Sequence, residues 1–138
     1  MIIYIDENLP PQLAEGLNKL QEPLNKRNRT DFQVKSIKME YGEGVKDETW
    51  IPIAGQQGAV AITRDYKIQT TRHQKALCEE YGLGIIFFSM PSGGLGYWQI
   101  VKTMVDKWEE ILKCTEAPAP FSFRFSIRSS KFEKLDES

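Results

Sequence analysis

Residues 2–10 read IIYIDENLP, and this stretch decides the fold. Its first four residues form a short apolar run of strand-forming side chains, which ends abruptly in the acidic pair Asp6 and Glu7. Pro10 then opens a segment with helical periodicity. A buried strand followed by a helix is the repeating unit of parallel α/β folds, which place their chemistry at the carboxyl ends of the strands. We therefore expect the acidic pair to lie in a functional site.

The rest of the chain alternates between β-like and α-like segments. Further strands are predicted at residues 33–37, 59–63 and 84–88, and helices at residues 10–21, 47–58, 70–81 and 97–113. Polar or glycine-containing segments at residues 22–32 and 39–46 are predicted to be a loop and a mobile connection. This order predicts an α/β fold with three layers, in which helices cover both faces of a mainly parallel central sheet.

The C-terminal segment has a different pattern. Prolines in residues 117–120 end the longest helix, and residues 121–128 then alternate strictly between apolar and polar. Such alternation is typical of a half-exposed edge strand, whose outward Arg124 and Arg128 would oppose aggregation or meet a partner. Residues 129–138 are polar and charged and are expected to fray. The C-terminal strand is therefore predicted at the edge of the sheet.

Length and composition predict one soluble domain. The 138 residues, 41% hydrophobic and 27% charged, suffice for a single core. We assign residues 1–115 to the main domain and residues 116–138 to a strand and tail appended to it. Because the sequence has no apolar run of membrane-spanning length and no signal-peptide pattern, we expect a cytoplasmic protein without membrane contact. Cys78 and Cys114 lack metal-type spacing and are expected to be reduced thiols.

The net charge bears on possible partners. A formal charge of −1 gives no global attraction to nucleic acid, so such a substrate would need a local basic patch. Cations that could form one are Arg64, Lys67, Arg72, His73 and Lys75. The sequence is equally compatible with phosphate binding by these residues and with a solvated helix face.

Four carboxylates are predicted to share one edge of the sheet. Asp6 and Glu7 follow the first strand, and Asp65 follows the third. Asp47 opens the helix before that third strand, with Glu48 beside it. Because the carboxyl ends of parallel strands lie along one edge, we expect these acids to converge. Carboxylate oxygens are the ligands that Mg²⁺ and Mn²⁺ prefer, so the cluster predicts a site for one of these ions.

The chemistry that such a cluster favours is phosphodiester hydrolysis. A divalent ion can make a water more acidic and stabilise the charge on phosphoryl oxygens. His73 is the only histidine, and the sequence has neither a GxSxG motif nor a Walker-type loop, so serine–histidine hydrolysis and P-loop binding find no support. Structural roles also stay open, since Asp6 or Asp47 fits a helix cap and Asp65 fits a turn.

Three motifs resemble the PIN-like nuclease superfamily. They are IDENLP at residues 5–10, KDE at residues 46–48 and VAITRD at residues 60–65. The resemblance is greatest to the short branch that opens with DENLP and includes the VapC-type toxins of toxin–antitoxin pairs. It implies a PIN-like fold and a Mg²⁺- or Mn²⁺-dependent ribonuclease that acts on RNA and pairs with an antitoxin protein.

The resemblance also implies roles for individual residues. Asp6, Asp47 and Asp65 match metal ligands. Glu7 matches the second letter of the DEN opening, and is expected as a further catalytic acid that either binds the metal or positions the attacking water. With RNA as the substrate, the expected phosphate contacts are Arg64, Lys67 and Arg72. PIN nucleases often carry another acid shortly after the third ligand, but residues 66–68 hold none, which predicts weaker metal binding or a single ion. Residues 121–128 lie beyond the matched region and are expected to serve dimerisation or antitoxin contact.

Two other classes remain as alternatives. A catalytically silent PIN-like module that binds RNA or a protein is suggested by the missing fourth acid. A receiver-type signalling domain also has an acidic pair after its first strand, but here no phosphoacceptor aspartate is suitably placed and no lysine follows Phe88. The sequence therefore predicts a metal-dependent endoribonuclease acting as a toxin, with the silent module as the alternative.

Overall fold

The computed structural model describes residues 1–65 and 67–135, so Tyr66 and the last three residues of the predicted tail lie outside it. The elements are β1 (Ile2–Ile5), α1 (Pro11–Asn28), β2 (Gln33–Ser36), α2 (Ile37–Tyr41), α3 (Asp47–Gln56), β3 (Val60–Asp65), α4 (Ile68–Tyr81), β4 (Gly84–Ser89), α5 (Tyr97–Cys114), β5 (Ser122–Ser126) and β6 (Glu133–Lys134). None of the helices in these two ranges is long and apolar enough to cross a membrane.

The strands form one sheet in the order β2-β1-β3-β4-β5-β6. All neighbouring pairs from β2 to β5 are parallel, and only β6 runs antiparallel to its neighbour. The parallel strands therefore end on the same edge of the sheet, which is where open α/β folds bind their ligands. The predicted α/β fold with a mainly parallel sheet is confirmed.

Helices cover the sheet on two faces, each with its own core. One core joins α1 and α5 to strand residues such as Ile3, Ile62 and Phe88. The other joins α3 and α4 to Tyr4 and Ala61, among others, and includes Cys78, a free thiol as predicted. Because successive strand residues face opposite sides, this division also fixes the face on which each residue at a strand end lies.

Helix α1 is longer than predicted. The segment at residues 22–32 was predicted to be a loop, but the helix continues to Asn28 despite the proline at position 23. Gln21 explains the continuation: it is buried, its Oε1 accepts a hydrogen bond of 3.0 Å from Trp108 Nε1 on α5, and its Nε2 donates to Asn25. The contact with α5 and the side-chain bond within α1 offset the backbone hydrogen bond that a proline removes.

The segment predicted to be a mobile connection begins with a short helix. Helix α2 occupies the start of residues 39–46, and the Ser36 hydroxyl accepts a hydrogen bond of 3.4 Å from Met39 N at its amino end. Gly42 ends the helix with φ of 96°, which favours glycine. The helical part of this segment was missed because it spans only five residues.

The C-terminal strand is not the edge strand that its alternating pattern predicted. Strand β5 lies between β4 and β6, because part of the segment expected to fray forms β6. Phe125 stacks on Phe88 of β4 with ring centroids 4.7 Å apart. The ring of Phe121 fills the space beside Gly84 where a Cβ would stand. These aromatic contacts bind β5 into the sheet, while the division at residues 115 and 116 remains a prediction.

Candidate active site

Strands β1 and β3 bring two of the predicted acids to one edge and one face of the sheet. Asp6 follows β1 directly, and Asp65 is the last residue of β3. Both lie on the face covered by α3 and α4, because Tyr4 and Ala61 contribute to the core on that face and alternate residues share a face. Helix α3 begins at Asp47, so three of the predicted residues lie at this edge.

Asp6 is fixed between the two central strands. It is 7% exposed, its backbone N–H donates to Ile62 O at 2.9 Å, and its Oδ2 accepts from the backbone N–H of Arg64 at 3.1 Å. It does not cap α1, because the residue at the cap position is Pro10. The role of helix cap, which the sequence left open for Asp6, is therefore excluded. The Asp6 carboxylate is instead held at the carboxyl edge of the sheet.

The electrostatics of Asp6 favour a cation. Burial raises the pKa of Asp6 above its ordinary value, hydrogen bonds from the backbone of Arg64 and Asn8 lower it in part, and the charges of Glu7 and Asp47 raise it further. A buried carboxylate among like charges is costly to ionise, and a bound cation would offset that cost. Perturbed carboxyl groups of this kind occur often at functional sites.

Glu7 and Asp47 are each held by one hydrogen bond. Glu7 Oε2 accepts from the backbone N–H of Gly44 at 2.8 Å, which ties the segment between α2 and α3 to the end of β1. Asp47 Oδ1 accepts from Nε1 of the buried Trp50 at 3.1 Å. The cap position of α3 belongs to Lys46, so Asp47 is not the capping residue. As an acid in the first turn, it lies at the positive end of the helix dipole.

Glu48 faces solvent beside the acids. Its Oε1 lies 2.6 Å from His73 Nε2, so this pair joins α3 to α4 at the surface. The hydrogen bond to His73 lowers the pKa of Glu48. Glu48 therefore has a partner of its own, and the only histidine of the chain is engaged with it.

Asp65 contacts an arginine that the sequence did not assign to the site. Its Oδ1 accepts a hydrogen bond of 2.7 Å from Thr71 Oγ1 on α4, and its Oδ2 lies 2.6 Å from Arg124 Nε on β5. The second contact is an ion pair without hydrogen-bond alignment, since Nε has no hydrogen-bond partner among the described residues. Sequence reasoning missed Arg124 because an edge strand was predicted to turn its arginines outward. Its place on the α4 face was deducible only once β5 was known to pair with β4.

The predicted phosphate contacts divide between two places. Lys67 and Arg72 are exposed at the start of α4, near the acids. Arg64 is half-buried, and its Nη2 would lie 3.6 Å from a Cβ at Gly94, in the segment between β4 and α5. Alternation along β3 puts the Arg64 side chain on the face opposite to Asp65. Their role in substrate binding remains a prediction.

The acidic residues at this edge differ in how well they could hold a divalent ion. Within residues 1–65 and 67–135, no group of three His, Cys, Asp or Glu side chains could hold a metal ion. Asp6 and Asp47 offer carboxylate oxygens whose charges interact. Two carboxylates are the kind of donor set that Mg²⁺ uses in proteins, where it usually binds one or two carboxylates and retains water. Asp65 is already paired with the Arg124 guanidinium, which would compete with an ion.

Fold and site together define the class of protein: a three-layer α/β domain with an acidic site at the carboxyl edge of its parallel strands. The chain belongs to the PIN-like domain family, whose family model, described as "PIN like domain", matches residues 1–90. No curated protein and no solved structure gave a significant match. The matched region contains Asp6, Asp47 and Asp65, whereas Arg124 lies beyond it. The likeness to the VapC-type branch remains a prediction.

Proposed function

We propose that this protein is a Mg²⁺- or Mn²⁺-dependent endoribonuclease of the PIN-like type. The observation that carries the proposal is Asp6, a buried carboxylate held beside the charges of Glu7 and Asp47 at the carboxyl edge of a parallel sheet. Membership of the PIN-like family supports a nuclease-type module.

The acidic residues have different roles in the proposed hydrolysis. Asp6 and Asp47 hold the ion, and their orientation is set by the Arg64 backbone N–H and by the Trp50 indole. When bound, the ion supplies a more acidic water and stabilises charge on the scissile phosphate. Glu7, anchored by Gly44, is the group that orients the attacking water or takes its proton.

The RNA is bound through its phosphates. Lys67 and Arg72 lie exposed at the amino end of α4, next to the acidic edge, and phosphate contacts of this kind position a nucleic acid without reading its sequence. Because the net charge is only −1, these local cations provide the attraction that the whole molecule lacks.

We extend the proposal to a toxin of a toxin–antitoxin pair. The DENLP opening at residues 6–10 supports this role by its resemblance to VapC-type toxins. A toxin should stop growth when it is expressed alone, and co-expression of a small protein encoded beside it should restore growth. Expression that leaves growth unaffected, with a protein that cleaves RNA in vitro, would remove the toxin role and leave the ribonuclease.

Cleavage of labelled RNA tests the enzymatic proposal. We compare the wild type with Asp47→Asn and with Asp106→Asn, a control on α5 whose side chain is 75% exposed. The wild type and the control should cleave in Mn²⁺ and stop in excess chelator. Asp47→Asn should be slower by at least about 10–100-fold, which is the loss seen when even a residue that only supports a metal ligand is replaced. Equal rates for all three proteins, or rates that the chelator does not change, would contradict the proposal.

A catalytically silent RNA-binding module is the second candidate. The observation that favours it is the ion pair of Asp65 with Arg124, which neutralises one of the three matched acids. This candidate predicts RNA binding that weakens in Arg72→Gln but no metal-dependent cleavage of any RNA. Metal-dependent cleavage that is lost in Asp47→Asn would exclude it.

A further inference from the structure

We propose that Arg124 is a positioning residue that occupies, at Asp65, the place of a metal ion, so that the protein binds one divalent ion through Asp6 and Asp47. The inference rests on the proposed function and deepens it. It gives the number of ions and assigns a role to the C-terminal segment, which lies beyond the region that matches the family.

The strand register explains how Arg124 reaches the site. On β4, Phe87 pairs with Arg124 on one side, and Ser89 pairs with Asp65 on the other. Arg124 and Asp65 thus flank β4 near its carboxyl end. Both also lie on the α4 face, so the arginine side chain can extend across β4 towards the sheet edge. The contact between Arg124 and Asp65 therefore follows from the order and register of the strands.

Both oxygens of Asp65 already have partners. Thr71 Oγ1 donates to Oδ1 at 2.7 Å, and the Arg124 guanidinium lies against Oδ2 at 2.6 Å. The side chains of Asp65 and Arg124 are only 12% and 35% exposed, so solvent screens the pair less than it would screen a surface pair. An ion that binds Asp65 would bring a second positive charge close to the guanidinium, and displacing the guanidinium would leave it partly buried without a counter-charge, which is costly.

Asp6 is in the opposite situation. Its Oδ2 accepts from the backbone N–H of Arg64, a neutral donor, and the acids Glu7 and Asp47 are among its charged neighbours. Negative charge therefore accumulates around Asp6, while at Asp65 it is balanced within the chain. A single divalent ion is accordingly expected beside Asp6 and Asp47.

The C-terminal segment holds Arg124 in place. Phe125, the next residue, stacks on Phe88 and on Phe132, with ring centroids 4.7 Å apart in both pairs. Arg124 is also paired with Glu133 of β6 in the ladder. Residues 121–134 therefore complete the acidic edge by supplying its internal cation.

Mn²⁺ titration monitored by electron paramagnetic resonance tests the inference without an activity assay. The proteins are the wild type, Asp65→Asn, Arg124→Gln, Arg124→Lys and the control Arg128→Gln, each checked by thermal melting. The wild type and the control should bind one ion, and Asp65→Asn should match their affinity. Arg124→Gln should bind Mn²⁺ roughly tenfold more tightly or bind a second ion, because Asp65 is released. Arg124→Lys, which restores the charge, should resemble the wild type.

The outcomes separate this inference from the proposed function. Loss of Mn²⁺ affinity by roughly tenfold in Asp65→Asn would make Asp65 a ligand and overturn the role of Arg124, while the metal site itself would stand. Unchanged binding in a folded Arg124→Gln would also overturn it. If Arg124→Gln fails to fold, Asp65→Asn decides alone. A wild type that binds no Mn²⁺ would overturn both proposals.

Discussion

The ionised form of Asp6, which the proposed chemistry needs, reduces the stability of the folded protein. Its burial raises its pKa, so folding disfavours the ionised carboxylate. The protonated form is compatible with burial, but a metal ligand must be ionised. A side chain that served only to stabilise the fold would not be expected to combine burial with a need for ionisation. The stability of Asp6 variants therefore tests whether the ionised carboxylate destabilises the metal-free protein.

Replacement of Asp6 by Asn should stabilise the metal-free protein at neutral pH. A folded-state pKa above the ordinary value of 3.8 means that the contribution of Asp6 to stability, present below that value, is lost as pH rises through the folded pKa. Asn avoids this loss, and its Oδ1 can still accept from the Arg64 N–H. We therefore expect the free energy of unfolding of Asp6→Asn to rise relative to that of the wild type between pH 4 and pH 7, as measured by urea unfolding in the presence of a chelator. A difference that does not change with pH would contradict the burial argument.

Thr71 should contribute to stability through Asp65. Thr71 is 7% exposed, and its hydroxyl donates to Asp65 Oδ1, so Thr71→Val leaves a largely buried carboxylate oxygen without this donor. We expect a loss of about 1–3 kcal/mol in the free energy of unfolding, whereas Thr71→Ser keeps the donor and should lose less. If Val and Ser variants unfold at the same urea concentration, the hydrogen bond does not stabilise the fold.

Among individual residues, the sequence predicted those that follow strands and missed the one that reaches the site from a neighbouring strand. Asp6 and Asp65 could be placed because the end of a buried parallel strand is visible in the sequence. Arg124 could not, because its contact depends on which strand β5 pairs with. That pairing is set by the burial of Phe121 and Phe125 on partners distant in sequence.

At the level of secondary-structure elements, α3 and α4 position the site by packing closely on each other. Gly55 of α3 lies against the backbone carbonyl of Tyr81, the last residue of α4, and a Cβ at this glycine would overlap that oxygen. This contact joins the carboxyl ends of the two helices, whereas Asp47 and the predicted phosphate contacts lie at their amino ends. A side chain at position 55 would force the helices apart.

Gly55→Ala should therefore destabilise the protein, and Gly16 provides the matched control. Gly16 lies within α1 and has open space where a Cβ would stand. We expect Gly55→Ala to lose about 1–3 kcal/mol through overpacking. Gly16→Ala should gain about 0.5–1 kcal/mol, because alanine loses less conformational freedom than glycine in a helix. Urea unfolding of the two variants measures both effects, and a stabilising Gly55→Ala would contradict the described contact.

Secondary structure was predicted best where one periodicity held throughout a segment. Helix α5 was predicted nearly to its ends because its apolar residues keep the helical period. The last turns of α1 were missed because they are polar, and their helical form depends on the buried bond between Gln21 and Trp108. The alternation in β5 correctly predicted a strand but not its position in the sheet, since the two-residue β6 has no pattern long enough to detect.

For the whole molecule, the balance of charge limits how the proposed RNA substrate could be bound. Because the net charge is −1 and this edge of the sheet is acidic, the attraction to RNA must come from exposed cations near the edge, such as Lys67 and Arg72. Binding should therefore depend on few phosphate contacts and respond modestly to salt.

The salt dependence of RNA binding tests this view. Measured with Asp6→Asn, so that cleavage does not interfere, affinity should fall with rising salt, and Arg72→Gln added to this variant should reduce the slope of log K against log salt by about 0.7 for a single-stranded RNA. Arg27→Gln, at the far end of α1, serves as the control and should keep the slope. An unchanged slope in the Arg72 variant would remove this residue from the RNA contacts.

The most direct test of the central claim is the rate of RNA cleavage in Mn²⁺ by the wild type, Asp6→Asn and the exposed control Asp106→Asn. The claim is that Asp6 holds the ion on which phosphodiester cleavage depends. It predicts equal rates for the wild type and Asp106→Asn, and a rate for a folded Asp6→Asn that is no higher than that of the wild type in chelator. Cleavage by Asp6→Asn at the wild-type rate would contradict the claim.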